Sequence, residues 1–485
     1  MAADHPSLAE VNATRRAGGG RIHATRFIAS GGEGWVYELA DGTALKWYRP
    51  KVLNERGPER FAKLTTMVVN PPRDPTANLG HATIAWPTDI VVTHAGEFRG
   101  FVMPLLDRSR SVELHQIVNP SDRRSPNRDP DWLGAFEDWE RLLQTAMNLA
   151  GVTAALHEAG YVIGDFNESN VLVDDRALVT VIDCDSLQVP SANGAPFLSL
   201  VGKPEYQAPE VTSFKLPRTT QSDGYALAVL IFMLLMEGKH PFAGVWHGVG
   251  EKPSPRELAH RGLYFASGDP TLTAPTRTPD TALLPAELQL LFRRAFAEGA
   301  RNPRTRPTAA EWRTALDGVR RTLTRCQVNR AHSYPGHLTW CPWCRLDAER
   351  NSTGSFSTSR STSTSQSYST SQSYSTGSYS TGSYSTGSYS SPSPTYSAPQ
   401  PSTPIAAPAD NSVLIMSVVS FAANCCCPII SIVVAVLALR RARQFGGSEL
   451  LPKIALGVGI VFTLFLLCSY GVGALNDTGT TGSTP

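Results

Sequence analysis

The chain has 485 residues, more than one average domain holds, which predicts two or three units. Its 44 Lys and Arg almost balance 42 Asp and Glu, for a net charge of +2. It therefore lacks the basic excess of a bulk nucleic-acid binder, and no nucleic-acid partner is expected. The polar opening, Met1 to Arg21, has no apolar run of the secretory kind and predicts a cytoplasmic N-terminal part.

Residues 1–320 have a mixed globular composition, with strand-like and helix-like stretches in alternation. Ile28 to Tyr37 reads as a strand, a tight turn at Gly31-Gly32-Glu33-Gly34 and a second strand. Glycines there let backbone N–H groups approach phosphates. After the Asp41-Gly42 turn, Ala44-Leu45-Lys46 lies in a third β-like run, where a lysine facing the glycine turn would contact phosphate oxygens. A helix is expected near Glu59, with Pro58 in its first turn and Glu59, Lys63 and Met67 on one face.

Farther along, Leu156 to Val173 ends a helix, forms a loop and starts a strand, with Asp165 and Asn170 in the loop. Val179 to Asp183 is a strand ending on a carboxylate. Loops at strand ends concentrate catalytic groups. An Asp, an Asn and a second Asp can act as proton acceptor and two hard oxygen ligands for magnesium.

This order and spacing resemble the eukaryotic-type (Hanks-type) protein kinase superfamily. Gly31 and Gly34 match glycines of the Gly-rich loop, Val36 the valine over adenine, and Lys46 the strand lysine that meets the α- and β-phosphates. Asp165 matches the catalytic-loop Asp, Asn170 the metal-binding Asn, and Asp183 the Asp of D-F-G. Glu205 to Glu210 resembles the A-P-E end of the activation segment, and Ser222 to Leu227 the start of the helix whose Asp braces the catalytic loop. Arg306 resembles the late arginine that pairs with the A-P-E glutamate, here Glu210. Met103 falls on the hinge strand, and Glu59, with Glu55 as alternative, is expected to hold Lys46.

The resemblance covers residues 22–320 and implies a two-lobed α+β fold: an antiparallel β N-lobe over 22–105 and a helical C-lobe over 106–320. It implies ATP with Mg²⁺ or Mn²⁺ and phosphorylation of protein serine or threonine. The sequence departs from the pattern at Ala29, where the first loop glycine belongs, and at Ile163-Gly164, where His-Arg precedes the catalytic Asp. It departs again at Asn167, where the family has a lysine that steadies the transferring phosphoryl group, and at Asp183-Cys184-Asp185 in place of D-F-G. Asp185 would either join the metal site or cap a turn. Without the Arg before Asp165, activity is not expected to depend on a phosphorylated activation segment. These losses keep an ATP-binding pseudokinase scaffold as the alternative, together with a membrane-tethered adaptor working through a zinc module. The loop and Asp-Cys-Asp also resemble a divergent bacterial kinase group that carries small zinc or nucleic-acid-binding modules.

Residues 321–348 hold Cys326, His332, Cys341 and Cys344, with His337 as a competing ligand. Three thiols and an imidazole, with one Cys-x2-Cys, predict a closed structural zinc site; a redox Cys-x2-Cys pair is the alternative. Residues 349–411 carry the five-residue repeat Ser-Tyr-Ser-Thr-Gly between Ser373 and Ser390 and lack large aliphatics before Ile405, which predicts a disordered tether rich in hydroxyls for autophosphorylation. Two apolar runs, Val413 to Leu439 and Ile454 to Leu475, carry no charged residue and predict transmembrane helices, bounded at 412–439 and 453–475, that anchor the kinase to the cell membrane. Arg440, Arg441, Arg443 and Lys453 between them argue by charge bias for a cytoplasmic loop, while an ATP-dependent domain argues for cytoplasmic flanks.

Overall fold

Alternation of side chains along short strands builds the N-terminal lobe. The computed structural model describes residues 5–191 and 194–354. Strands β1 (Thr14–Arg16), β2 (Ala24–Ser30), β3 (Gly34–Leu39), β4 (Thr43–Tyr48), β5 (Asp89–Thr93) and β6 (Phe98–Pro104) form one antiparallel sheet in the order β1-β5-β6-β4-β3-β2. Trp35, Tyr37 and Leu39 of β3 and Leu45 and Trp47 of β4 pack with Val11, Ile22, Val91 and Val102 in a small core on one face. Successive strand residues point to opposite faces. Val36, Lys46 and Tyr48 therefore share the other face, where Tyr48 and Phe101 join the main core. The sheet begins earlier than expected: helix α1 (Leu8–Asn12), capped reciprocally by Ser7 and Glu10, leads into β1, which pairs with β5.

Helix α2 (Pro50–Val69) starts with Pro50 in its first turn and kinks at Arg56 (φ −143°, ψ 17°), just before Gly57-Pro58. Pro58 cannot donate to the helix ladder and fixes the break there. Its buried residues are Gly57, Arg60, Lys63, Leu64 and Met67. Helical spacing thus places Arg60 on the inner stripe, and Glu59 lies one residue out of phase with it.

The C-terminal lobe is built on three packed helices, Trp139–Glu158, Thr220–Leu235 and Ala309–Arg321. The second is buried nearly all round and starts on a Thr219–Ser222 capping box. Fully buried Trp139 fixes the first against it, its indole N–H donating to the Leu235 carbonyl at 3.1 Å. Between the lobes lies a small antiparallel sheet of β7 (Ser111–Glu113), β8 (Val171–Asp174) and β9 (Val179–Val181). Register Val171↔Val181 sets Asn170 and Ile182 side by side, and the Ile182 N–H donates to the Asn170 carbonyl at 3.0 Å.

The Cys/His unit is not a detached module. Its hairpin, Leu323–Arg325 with Ser333–Pro335, leads to a helix over Pro342–Gly354. Residues 349–354, assigned to the tether by sequence, thus continue a helix. Buried Trp343 faces Trp139 with ring centroids 6.3 Å apart, and Arg325 pairs with Asp138 (2.6 Å) and Glu140 (2.8 Å). Among the described residues no helix is long and apolar enough to cross a membrane. Both candidate spans, 412–439 and 453–475, and residues 355–411 of the tether lie outside the described residues.

Lys63 marks the cost of this packing. Burial, reinforced by Arg60, pulls its amine down to about 7. An amine whose pKa drops on folding leaves the unfolded chain with more bound protons, so stability should climb as pH rises from about 7 toward the ordinary lysine range. Lys63→Met should raise stability near pH 7 by roughly 1–3 kcal/mol, with the gain shrinking toward pH 10. Thermal melts of both proteins across that range check this.

Candidate active site

The glycine turn, β4, α2 and the ends of β8 and β9 meet at one place. Lys46 Nζ donates to Asp183 Oδ1 at 2.6 Å and to Asp185 Oδ1 and Oδ2 at 2.7 and 2.9 Å. Burial works against a charged amine, but the two carboxylates more than offset it and hold the Lys46 ammonium above its ordinary range. Register pairs Lys46 with Val36 on one side and Phe101 on the other, and Ala44 with Met103. Cross-strand partners share a face, so Val36, Lys46 and Met103 line the same side of the sheet.

Asp185, expected at the metal site or capping a turn, is an anchor for Lys46. It is fully buried, and besides Lys46 it accepts from the Tyr48 hydroxyl and from Arg60 Nη1 at 3.1 Å. Burial alone would raise its carboxyl pKa; Lys46 and Arg60 hold it below the ordinary range. Arg60 also bonds the Asp185 carbonyl at 3.1 Å and reaches Glu33 in the glycine turn. Glu59, expected to hold Lys46, instead pairs with Arg56 at 3.0 Å and is largely exposed. The kink at Arg56 turns Glu59 off the inner stripe. The carboxylate that holds Lys46 therefore comes from the strand end, and the helix supplies a cation. The carboxylate at Asp185 in place of the D-F-G glycine was the one signal in the sequence; nothing there marked Arg60 as its partner.

Asp183 itself adopts the left-handed conformation (φ 58°, ψ 39°), uncommon for a residue with a side chain. Its carbonyl accepts from Ser186 N–H at 2.9 Å, and its side chain stays about 41% exposed. In the neighbouring loop, the Asp165 carboxylate accepts from Asn167 Nδ2 at 2.7 Å and from Asn170 Nδ2 at 3.1 Å. Burial raises the Asp165 carboxyl pKa against these bonds. Asp223 braces the loop, accepting from the backbone N–H of Ile163 (2.6 Å) and Gly164 (2.9 Å) and contacting His157 Nε2 at 3.0 Å.

Gly164, in place of the usual arginine, has φ +75°, and a Cβ there would lie 2.5 Å from Ser199 Oγ and 2.9 Å from Arg218 Nη1. Arg218, eight residues beyond Glu210, stands beside the loop; it bonds the Val201 carbonyl and stacks on Phe214 at 4.6 Å. Arg306 and Glu210 form a bidentate pair at 2.6 and 2.8 Å, with the guanidinium wholly buried. In the glycine turn, a Cβ on Gly34 would come within 2.4 Å of the Trp47 carbonyl, whereas one on Gly31 would meet only the Gly34 carbonyl at 3.8 Å.

A second cluster lies in the C-terminal unit. The donor atoms of Cys326, His332, Cys341 and Cys344 all fall within 4.8 Å of one another and can hold a metal ion. The separations Cys326 Sγ–Cys344 Sγ (3.5 Å), Cys341 Sγ–His332 Nδ1 (3.7 Å) and Cys344 Sγ–His332 Nδ1 (3.6 Å) are tetrahedral edges for bonds of about 2.0–2.3 Å. Val328 and Asn329 N–H groups donate to Cys326 Sγ at 3.3 and 3.4 Å, and Asp347 faces the outer His332 nitrogen at 3.3 Å. His337 lies outside the cluster and meets the Ala282 carbonyl at 2.8 Å.

The charge arrangement makes two neighbouring substitutions differ. Glu59→Ala removes an exposed ion pair and should cost under about 1 kcal/mol. Arg60→Ala leaves Asp185 short of a buried partner and should cost about 3–5 kcal/mol. Denaturant unfolding of both variants checks the contrast.

No known family profile matches the chain. It is 33% identical over 333 residues to protein kinase YegI of Escherichia coli O157:H7, an alignment that covers 66% of this chain and 48% of that protein. It is 29% identical over 229 residues to the probable serine/threonine-protein kinase pknA2 of Bifidobacterium longum, covering 46% of this chain and 27% of the relative. To the serine/threonine-protein kinase PknK of Mycobacterium tuberculosis it is 27% identical over 187 residues, 38% and 15% of the two chains. The chain thus spans about half the length of the YegI proteins it matches. Homologues with these names, together with an antiparallel N-terminal sheet set on a helical lobe, support a member of the protein kinase superfamily.

Proposed function

We propose that the chain is a serine/threonine protein kinase that transfers the γ-phosphoryl group of ATP to protein hydroxyls. The observation that carries this reading is the 2.6 Å contact of Lys46 with Asp183, from elements 137 residues apart, beside a loop that holds Asp165 between two amides. Phosphoryl transfer needs positioning and charge neutralisation more than covalent chemistry, and these groups supply both. In this reading Lys46, secured by Asp185, contacts the phosphates, while Gly31, Gly34, Val36 and Met103 border the nucleotide.

Asn170 and Asp183 would hold Mg²⁺ or Mn²⁺; Asn170 spends its NH2 on Asp165, so a hard cation would meet its oxygen. When bound, the ion neutralises charge on the phosphate oxygens. Asp165 orients the substrate hydroxyl and accepts its proton, and the burial that raises its pKa makes it a better acceptor near neutrality. Because a protonated Asp165 cannot accept, activity should fall with acidification at a pH above the ordinary aspartate range. The Ser/Thr-rich residues 349–411 are acceptors within the same chain, and the apolar runs at 412–439 and 453–475 would tether it to the cell membrane with the kinase domain in the cytoplasm. Zinc at Cys326, His332, Cys341 and Cys344 would fix the C-terminal unit against the helical lobe.

Two measurements test this. With the full chain, radiolabelled ATP, Mg²⁺ and myelin basic protein, Asp165→Asn should lower transfer by about 10²–10⁴-fold. Asp183→Ala and Lys46→Ala should abolish it. Metal-dependent nucleotide binding with no Asp183-dependent transfer would instead mean a nucleotide-binding scaffold. Metal analysis should find one zinc per chain, and Cys341→Ser or chelation should lower the melting temperature; a protein unmoved by both would remove the structural role for metal.

A further inference from the structure

Resting on the kinase reading, we infer that Lys203, on the activation segment, supplies the positive charge that the catalytic loop lacks at Asn167 and contacts the transferring phosphoryl group. The loop carries no cation of its own between Ile163 and Asn170. Asn167 does not fill that gap: its amide donates to Asp165 Oδ1 at 2.7 Å, and its oxygen accepts from Ser169 N–H at 3.0 Å. Both its ends are spent on shaping the loop. Charge spread over the phosphoryl oxygens in the transition state still calls for a donor beside the hydroxyl that attacks.

Among the described residues, Arg218 and Lys203 border the loop from outside. Arg218 is buried, with one end of its guanidinium bonded to the Val201 carbonyl and its plane stacked on Phe214, which pins it in place. Lys203 is more exposed and more lightly held. Its Nζ reaches into the loop, donating to Ser169 Oγ at 2.9 Å and to Glu168 Oε1 at 3.3 Å. Its side chain remains about 37% exposed, so the ammonium is held by surface bonds on a flexible stem and can exchange them for phosphate oxygens. The backbone beneath is anchored, with the Lys203 carbonyl accepting from Tyr206 N–H at 3.1 Å and Val201 held by Arg218. Lys203 and Phe166, the residue after Asp165, also line the same small cavity, together with Gly164. An anchored base with a mobile ammonium on the loop that carries the proton acceptor is the arrangement a phosphoryl contact requires.

The experiment exploits the vacant position. The full chain is assayed with radiolabelled ATP, Mg²⁺ and myelin basic protein, alongside Lys203→Met, Lys203→Met with Asn167→Lys, and Glu168→Gln with Ser169→Ala. Melting temperatures confirm that each variant folds. Lys203→Met should lower kcat about 10²-fold, the loss expected for one transition-state donor, while KM for ATP stays within about threefold. Adding Asn167→Lys should restore at least about tenfold, because the ammonium then arises from the loop itself.

If Lys203 merely ties the activation segment to the loop, the Glu168/Ser169 variant will fall as far as Lys203→Met and Asn167→Lys will restore nothing; that result overturns the inference and leaves the kinase reading intact. Unchanged transfer in a folded Lys203→Met does the same. Absence of Asp183-dependent transfer in the unaltered chain overturns both.

Discussion

A carboxylate shut away from water governs this site. Asp185 is fully buried, and a lone charge there would cost several kcal/mol. It is tolerated because Lys46, Arg60 and Tyr48 all donate to it. Those donors come from β4 and α2, whereas Asp185 follows β9, so one satisfied charge ties the N-terminal lobe to the segment that carries Asp183. Arg60 extends the tie to Glu33, linking the glycine turn to the same network. Position within the cleft is thereby set by electrostatic necessity, since removing any member strands another.

The lower half of the site is organised by backbone contacts as much as by side-chain pairs. Asp223 holds Ile163 and Gly164 through their N–H groups, and Arg218 holds the activation segment through the Val201 carbonyl. The Arg306–Glu210 pair closes the far end of the segment, with further bonds from Arg306 to the carbonyls of Gln221 and Gly299. The C-terminal unit contributes too: Arg350 reaches buried Glu237 at 3.1 Å, beside Arg124 at 2.7 Å.

How far the sequence could be read depended on the kind of signal. The strand–turn–strand at residues 28–37 and the strand bearing Lys46 announce themselves through two-residue alternation and the Gly-rich turn, which local sterics dictate. The Cys/His cluster is equally local, because ligand spacing lies within one short stretch. The phase of α2 was not readable: its pattern shifts across the kink at Arg56, and choosing Glu59 over Arg60 needed to know which residue faced the cleft. The early sheet edge from Thr14 was hidden because three residues give no usable period. Asp185 gains its meaning only from partners more than a hundred residues away, and chain order carries no record of such meetings.

The tight spacing of β3 and β4 at Gly34 bears on how the glycine turn can be dissected. Any side chain there would collide with the Trp47 carbonyl one residue from Lys46, forcing the two strands apart and displacing the ammonium along with them. A methyl group at Gly34 would thus disable the site by mechanical wedging, whatever the loop does for phosphate. Gly31, where a Cβ would meet only an ordinary contact, is the position at which steric crowding of a ligand can be separated from damage to the sheet.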